Sequence, residues 1–172
     1  RQMIALRERI SAPARAAATE QLQAHLNAWL AHRAPRAGTI ALYSPHRGEV
    51  DLCNWARTRP ESFALPVVAG KAQPLVFAAW RPDEPVTLDQ YDIAVPAVQR
   101  MVRPDVLLIP CVAFSAARVR LGYGAGYYDR TLAALAPRPL AVGVAFAAQR
   151  CDFEAAAHDI ALDAIITECG VV

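Results

Sequence analysis

At 172 residues the chain is long enough for one domain that buries most of its apolar surface, and too short for two ordinary ones. Its 55% hydrophobic and 20% charged residues exclude a disordered chain. A net charge of +2, with Lys71 the only lysine and the arginines scattered without a run, argues against a dedicated nucleic-acid binder. No apolar stretch approaches the roughly 20 residues of a membrane span and no signal peptide is visible, so the cytoplasm is the expected compartment. Cys53, Cys111, Cys151 and Cys169 lie far apart without a C-x-x-C, which points to free thiols. His25 and His32 lack the H-E-x-x-H arrangement of a zinc site.

In chain order, Met3 to Ile10 predicts a helix, and Ser11 with Pro13 marks a stop and restart. Leu22, Leu26, Trp29 and Leu30 then repeat as the core-facing stripe of a long second helix, broken by Pro35 and Gly38. Thr39 to Tyr43 reads as a first strand with a loop, Ser44 to Gly48, at its C-terminal end, where open parallel sheets hold ligands. A helix pattern begins at Glu49 and runs through Val50, Leu52, Trp55 and Ala56; an acid there also stabilises a helix start with no further role. Phe63 to Val68 and Leu75 to Ala79 are the next strands, and Trp80 to Pro85 is loop. Val106 to Ile109 is a continuous apolar run, as expected of a strand buried on both faces. Leu140 to Phe146 and Ala164 to Thr167 are further strands, with a short helical turn expected over Cys151 to Ala157.

The stretch with most chemistry is Arg120 to Asp129, R-L-G-Y-G-A-G-Y-Y-D. Three alternate glycines, Gly122, Gly124 and Gly126, precede a helix whose face is Tyr128, Thr131, Leu132 and Leu135 and which Pro137 stops. Free N–H groups and the positive end of the macrodipole at such a helix start favour an anion, so the loop reads as a phosphate-binding loop. It is neither a Walker A nor a G-x-G-x-x-G loop, and no acid follows at dinucleotide spacing. The other reading is a tight strand-to-helix turn.

R-L-G-Y-G-A-G-Y-Y-D-R-x-L after I-P-C-V-A-F, together with Y-S-P-H-R-G-E-V-D at Tyr43 to Asp51 and H-D-I-A-L-D-A-I-I-T-E at His158 to Glu168, resembles the 5-formyltetrahydrofolate cyclo-ligase (methenyltetrahydrofolate synthetase) family over nearly the whole chain. Alternating strands and helices already predict a single three-layer α/β domain over residues 1–172 with a mainly parallel sheet. The resemblance adds a fold akin to the sugar-phosphate isomerase and CoA-transferase group. It implies ATP- and Mg²⁺-dependent cyclisation of 5-formyltetrahydrofolate to 5,10-methenyltetrahydrofolate, by a monomer that takes folate and ATP and binds neither nucleic acid nor membrane.

By resemblance, the ATP phosphates meet Arg1, Arg120, Leu121, Gly122, Tyr123, Gly124, Ala125, Gly126, Tyr127 and Tyr128, with Arg120 and Tyr127 catalytic. Folate meets Ser44, Glu49 and Tyr123 to Tyr127, and Mg²⁺ meets Asp129 and Asp159. Arg1 takes the place of the arginine in an N-terminal K-x-x-L-R element whose lysine would lie upstream of this sequence. The chain departs from the family pattern at Val95, where G-I-x-E-P has glutamate, at Ser115, commonly Asp, and at Arg118, commonly Gly. These departures leave open a degenerate nucleotide- or folate-binding module, and a similar scaffold using the glycine loop for a phosphate without ATP leaves open a sugar-phosphate isomerase-like enzyme.

Overall fold

The computed structural model describes residues 2–172. Helix α1 is Gln2–Glu8, and α2, Ala12–Arg33, starts where Ser11 Oγ accepts the Ala14 N–H at 3.4 Å with Pro13 in the first turn. The stripe on α2 is core as expected: Leu22, Leu26 and Leu30 are buried and Trp29 packs against them.

The strands are β1 Thr39–Ala41, β2 Ser62–Val68, β3 Leu75–Ala79, β4 Val86–Leu88, β5 Ala94–Pro96, β6 Met101–Val102, β7 Val106–Pro110, β8 Ala113–Phe114, β9 Arg120–Leu121, β10 Leu140–Val144, β11 Ala164–Thr167 and β12 Gly170–Val171. Eight of them form one sheet in the order β12-β11-β10-β7-β1-β2-β3-β6. From β11 through β10, β7 and β1 to β2 every pairing is parallel, and antiparallel pairings add β3, β6 and β12 at the flanks. Asp105 pins the N-terminal end of this array, its Oδ2 accepting the N–H groups of Gly38 and Thr39 at 2.8 and 2.9 Å while its carbonyl accepts from Leu140.

Because successive strand residues point to opposite faces, each central strand feeds two cores. Val106 and Leu108 of β7 join the cluster under α2 and the short helix α3, Cys53–Arg57, whereas Leu107 and Ile109 join the cluster under α4, Tyr127–Ala134. The result is the three-layer, mainly parallel α/β arrangement that the alternation of elements implied. Two hairpins stand outside the sheet: β4–β5, and β8–β9 inserted between β7 and α4.

Three local expectations need correction. No helix begins at Glu49; the chain stays irregular until Cys53, because Arg47 and Gly48 turn it through left-handed backbone, φ 49° and 75°, and the Glu49 carboxylate accepts from His46 behind it instead of capping a helix ahead. Cys151 to Ala157 forms no helical turn; a single 3-10 turn lies earlier, at Ala147–Gln149, fixed by Gln149 Oε1 accepting the Phe146 N–H and Gln149 Nε2 donating to the Cys111 and Val112 carbonyls. Strands β1 and β10 are also shorter than their apolar runs, since Leu42 and Tyr43, like Ala145 and Phe146, are buried but turn off into site loops.

Candidate active site

The C-terminal ends of β1, β7 and β10 open into one region, the end at which open α/β sheets carry ligands. After β7 the chain makes the β8–β9 hairpin and runs through Gly122 to Gly126 into α4. Gly124 and Gly126 have φ of 89° and 65°, backbone that an L side chain adopts only with strain, and Gly126 is the residue that starts the helix. The price of that geometry is an unsatisfied loop: none of the backbone N–H groups from Gly122 to Tyr128 donates to an acceptor among the described residues. Two arginines flank these free donors. Arg120, 6% exposed, pairs through Nη2 with Asp129 Oδ2 at 3.0 Å and lies over the Tyr128 ring, and its buried Nε has no partner. Arg130 donates to the Ala125 carbonyl and lies over the Tyr127 ring, and its Nε is likewise buried and unpartnered. Unpaired N–H groups aimed from loop and guanidinium alike fit an anion with several oxygens.

The loop after β1 forms the facing wall. Ser44 donates to the Ala94 carbonyl on β5, and Ser44, Pro45, His46, Leu65, Trp80, Val86, Leu88 and Ile93 line a cavity of about 280 Å³. Its roof is the β4–β5 hairpin, whose Tyr91 hydroxyl meets the Tyr127 hydroxyl at 2.9 Å, so cavity and glycine loop share a border. Val95, where the resembled family has glutamate, faces away from this cavity into a small apolar cluster with Val67 and Ala78.

Glu49 sits behind the cavity wall, 6% exposed, with Oε2 accepting the His46 N–H and Oε1 accepting the Tyr123 hydroxyl, both at 2.9 Å. Burial raises its pKa above the ordinary glutamate value, opposed by those two hydrogen bonds and by Arg7. Tyr123, half exposed, is raised as well, by burial of its hydroxyl and by the Glu49 charge.

Arg7 is the residue that sequence reasoning missed. It is 1% exposed and donates to the carbonyls of Arg47, His46 and Cys111 and to the Tyr123 hydroxyl at 3.0, 3.3, 3.2 and 2.7 Å, with Glu49 Oε1 at 3.7 Å. Among so many scattered arginines nothing marks it, except that it follows Met3 and Ile4 at i+4 and i+3 on the less exposed face of the first helix. Arg15 assists from α2, donating to the Gly48 and Arg7 carbonyls.

Of the sequence-predicted residues, Ser44, Glu49 and Arg120 to Asp129 are brought together; Arg1 lies outside the described residues. The Asp159 segment is brought alongside, since the Ile160 N–H reaches Asp129 Oδ1 at 3.5 Å, but the Asp159 carboxylate itself accepts from Ala156 in its own turn. Among the described residues no cluster of three or more His, Cys, Asp or Glu could hold a metal. The donor set therefore fits a cation only as two carboxylates completed by phosphate and water, a set Mg²⁺ accepts. Cys53 and Cys111 are held unreactive, their thiols pushed up to about 12 by burial. No helix among the described residues is long and apolar enough to cross a membrane.

Two departures from the family pattern acquire a structural reading. Arg118 keeps the left-handed backbone that glycine adopts freely, at φ 60°, and its Nε donates to the Leu162 carbonyl at 3.1 Å. Ser115 is buried in the same turn, its carbonyl accepting from Arg118.

Fold and site together define a class: an α/β protein with an anion-accepting glycine loop at the carboxyl end of a parallel sheet, set beside an apolar cavity backed by a buried carboxylate. The chain belongs to the 5-formyltetrahydrofolate cyclo-ligase family, whose profile it matches over residues 1–168. It is 44% identical over 64 residues to the 5-formyltetrahydrofolate cyclo-ligase of Mycoplasma pneumoniae, a match spanning 37% of this chain and 39% of that relative. Its fold matches the 5,10-methenyltetrahydrofolate synthetase structure from Mycoplasma pneumoniae with TM-score 0.76 and 28% identity, over 97% of this chain and 94% of the other. It matches the Aquifex aeolicus 5,10-methenyltetrahydrofolate synthetase with TM-score 0.83 and 28% identity, over 99% and 88%.

Proposed function

We propose that the protein is an ATP-dependent ligase that cyclises 5-formyltetrahydrofolate to 5,10-methenyltetrahydrofolate with release of ADP and phosphate. One observation carries this reading: the run of unpartnered N–H groups from Gly122 to Tyr128, flanked by two arginines with free Nε, borders an apolar cavity backed by a buried carboxylate. A formyl amide is a poor electrophile. The γ-phosphoryl group of ATP passes to the formyl oxygen, N10 of the same folate attacks the formyl carbon, and phosphate leaves with that oxygen. Arg120, Arg130 and the loop N–H groups hold the phosphate charge in both steps, and N10 belongs to the same folate and lies close to the carbon, so no protein nucleophile is needed. Tyr127 would orient the transferring group from the start of α4, Glu49 would accept pterin N–H groups, and Ser44 would fix the cavity wall. Asp129 and Asp159 would hold Mg²⁺, which supplies charge neutralisation on the phosphates.

We further assign the chain to one domain acting as a cytoplasmic monomer, with folate and ATP as its only partners. The test is the absorbance of the methenyl product: its appearance requires 5-formyltetrahydrofolate, ATP and Mg²⁺ together, and product without ATP, or none from folded protein, defeats the reading. Binding of both ligands without turnover would instead support the degenerate module that Val95, Ser115 and Arg118 bring to mind, and turnover of a sugar phosphate without ATP would support the isomerase-like reading.

A further inference from the structure

The Glu49 carboxylate keeps spare lone pairs, but its side chain is covered on the cavity side by the groups that donate to it. Oε2 is taken by the His46 N–H and Oε1 by the Tyr123 hydroxyl, and the side chain is 4% exposed. A ligand reaching this carboxylate must therefore displace one of them. The His46 donor is backbone of the loop that Arg7 and Arg15 tie down through the carbonyls of His46, Arg47 and Gly48. The Tyr123 donor is a half-exposed side chain on a loop whose Gly122 to Ala125 segment is exposed and whose Gly124 has open space around it. Tyr123 is thus the partner that yields. Its hydroxyl already accepts a second bond, from Arg7 at 2.7 Å, and keeps it when Glu49 is given up, because Arg7 is fixed by three backbone carbonyls and does not move with the loop. Apart from this hydroxyl, the only side-chain hydrogen bond to the exposed segment among the described residues is that of Arg130 to the Ala125 carbonyl.

We propose that Tyr123 is a positioning residue that makes the folate and nucleotide sites interdependent: a ligand on Glu49 releases Tyr123, which turns on Arg7 and resets the glycine loop that receives phosphate. This rests on the proposed function, because it needs one ligand at Glu49 and another at the loop. Thermodynamic linkage then requires that each ligand change the affinity of the other by the same factor, and that the factor disappear with the hydroxyl.

The experiment is calorimetric titration of 5-formyltetrahydrofolate with and without a non-hydrolysable ATP analogue, and the reverse, on the wild type, Tyr123→Phe and Arg7→Lys. Tyr123→Phe keeps the half-exposed ring and its edge contact with His46. In the wild type the two Kd values shift by the same factor, at least about fivefold. In Tyr123→Phe the factor falls to within twofold of unity while each ligand still binds alone. Arg7→Lys, which keeps the charge but loses the fork that fixes it, gives a reduced factor. Both ligands binding the wild type without mutual effect, or Tyr123→Phe keeping the wild-type factor, overturns the coupling alone; a folded wild type that binds neither ligand overturns the coupling and the proposed function together.

Discussion

Glu49 and Asp159 come to the site by opposite routes. Glu49 is gripped by three segments, with Arg7 from the first helix, His46 from the loop after β1 and Tyr123 from the glycine loop all within reach of its carboxylate. Asp159 answers only to its own turn, accepting from Ala156, with His158 at 3.9 Å and 79% exposed. A carboxylate held from several elements is already oriented before any ligand arrives, at the cost of a buried charge. One held by its own turn, as Asp159 is at 17% side-chain exposure, is not oriented from other elements and acquires its proposed role only when a cation and phosphates gather it in. The proposed folate side is therefore built into the fold and the proposed metal side is completed by its ligands.

The hardest test of this contrast is to remove the grip. Arg7→Met takes the positive charge from beside Glu49 and a guanidinium donor from the Arg47, His46 and Cys111 carbonyls, and should cost about 3–5 kcal/mol in chemical denaturation, as expected for breaking a buried pair from one side. A loss no larger than that of a surface substitution would show that Glu49 is not held through Arg7. Glu49→Gln should weaken folate binding by about 1.5–3 kcal/mol and leave binding of ATP by itself near normal, read by calorimetry on each ligand alone. The same variant has a pH signature. Because burial raises the native pKa of Glu49, the native state binds more protons than the unfolded chain between the ordinary glutamate value and the raised one, so wild-type stability falls as pH rises through that window. Melting temperatures measured across it should decline for the wild type and flatten for Glu49→Gln.

On the other side, Asp129 and Asp159 should separate by structural role before they are compared in metal binding. Asp129→Asn strips Arg120 of its partner and should cost about 1–3 kcal/mol, whereas Asp159→Asn loses only a turn contact and should stay within about 1 kcal/mol. In turnover against Mg²⁺ concentration the double variant should be little worse than the worse single one; strict additivity with an unaltered Mg²⁺ requirement would place the metal elsewhere. The smallest effect belongs to Arg118→Gly, which relieves left-handed backbone but gives up the bond to the Leu162 carbonyl; a gain below about 1 kcal/mol is expected, and a loss would mean the bond outweighs the strain.

Periodicity carried most of the layered architecture, because α2, β3, β7 and α4 are long or strongly patterned and their apolar positions meet the core directly. It failed from Glu49 to Leu52, where helix-like spacing is overridden by consecutive left-handed residues and by a carboxylate that bonds backwards, information that resides in tertiary contacts. The hairpins escaped notice because β4 is exposed along its whole length and β8 and β9 have two residues each. The glycine loop was legible, since three alternate glycines are rare without a reason. Arg7 was not, because a buried arginine looks like any other until the carbonyls that receive it have been brought within range.

The main sheet closes on each flank with a strand of only two residues, β6 on one side and β12 on the other. Met101 and Val171 there are half exposed, so the borders are not guarded by charge. At the β6 border the guard is brevity: an extended segment from another molecule finds too few free N–H and C=O groups to seat itself, and the β-addition that begins fibre growth has no template there. At high protein concentration, association through the β6 border should therefore be negligible, even with a net charge as small as +2.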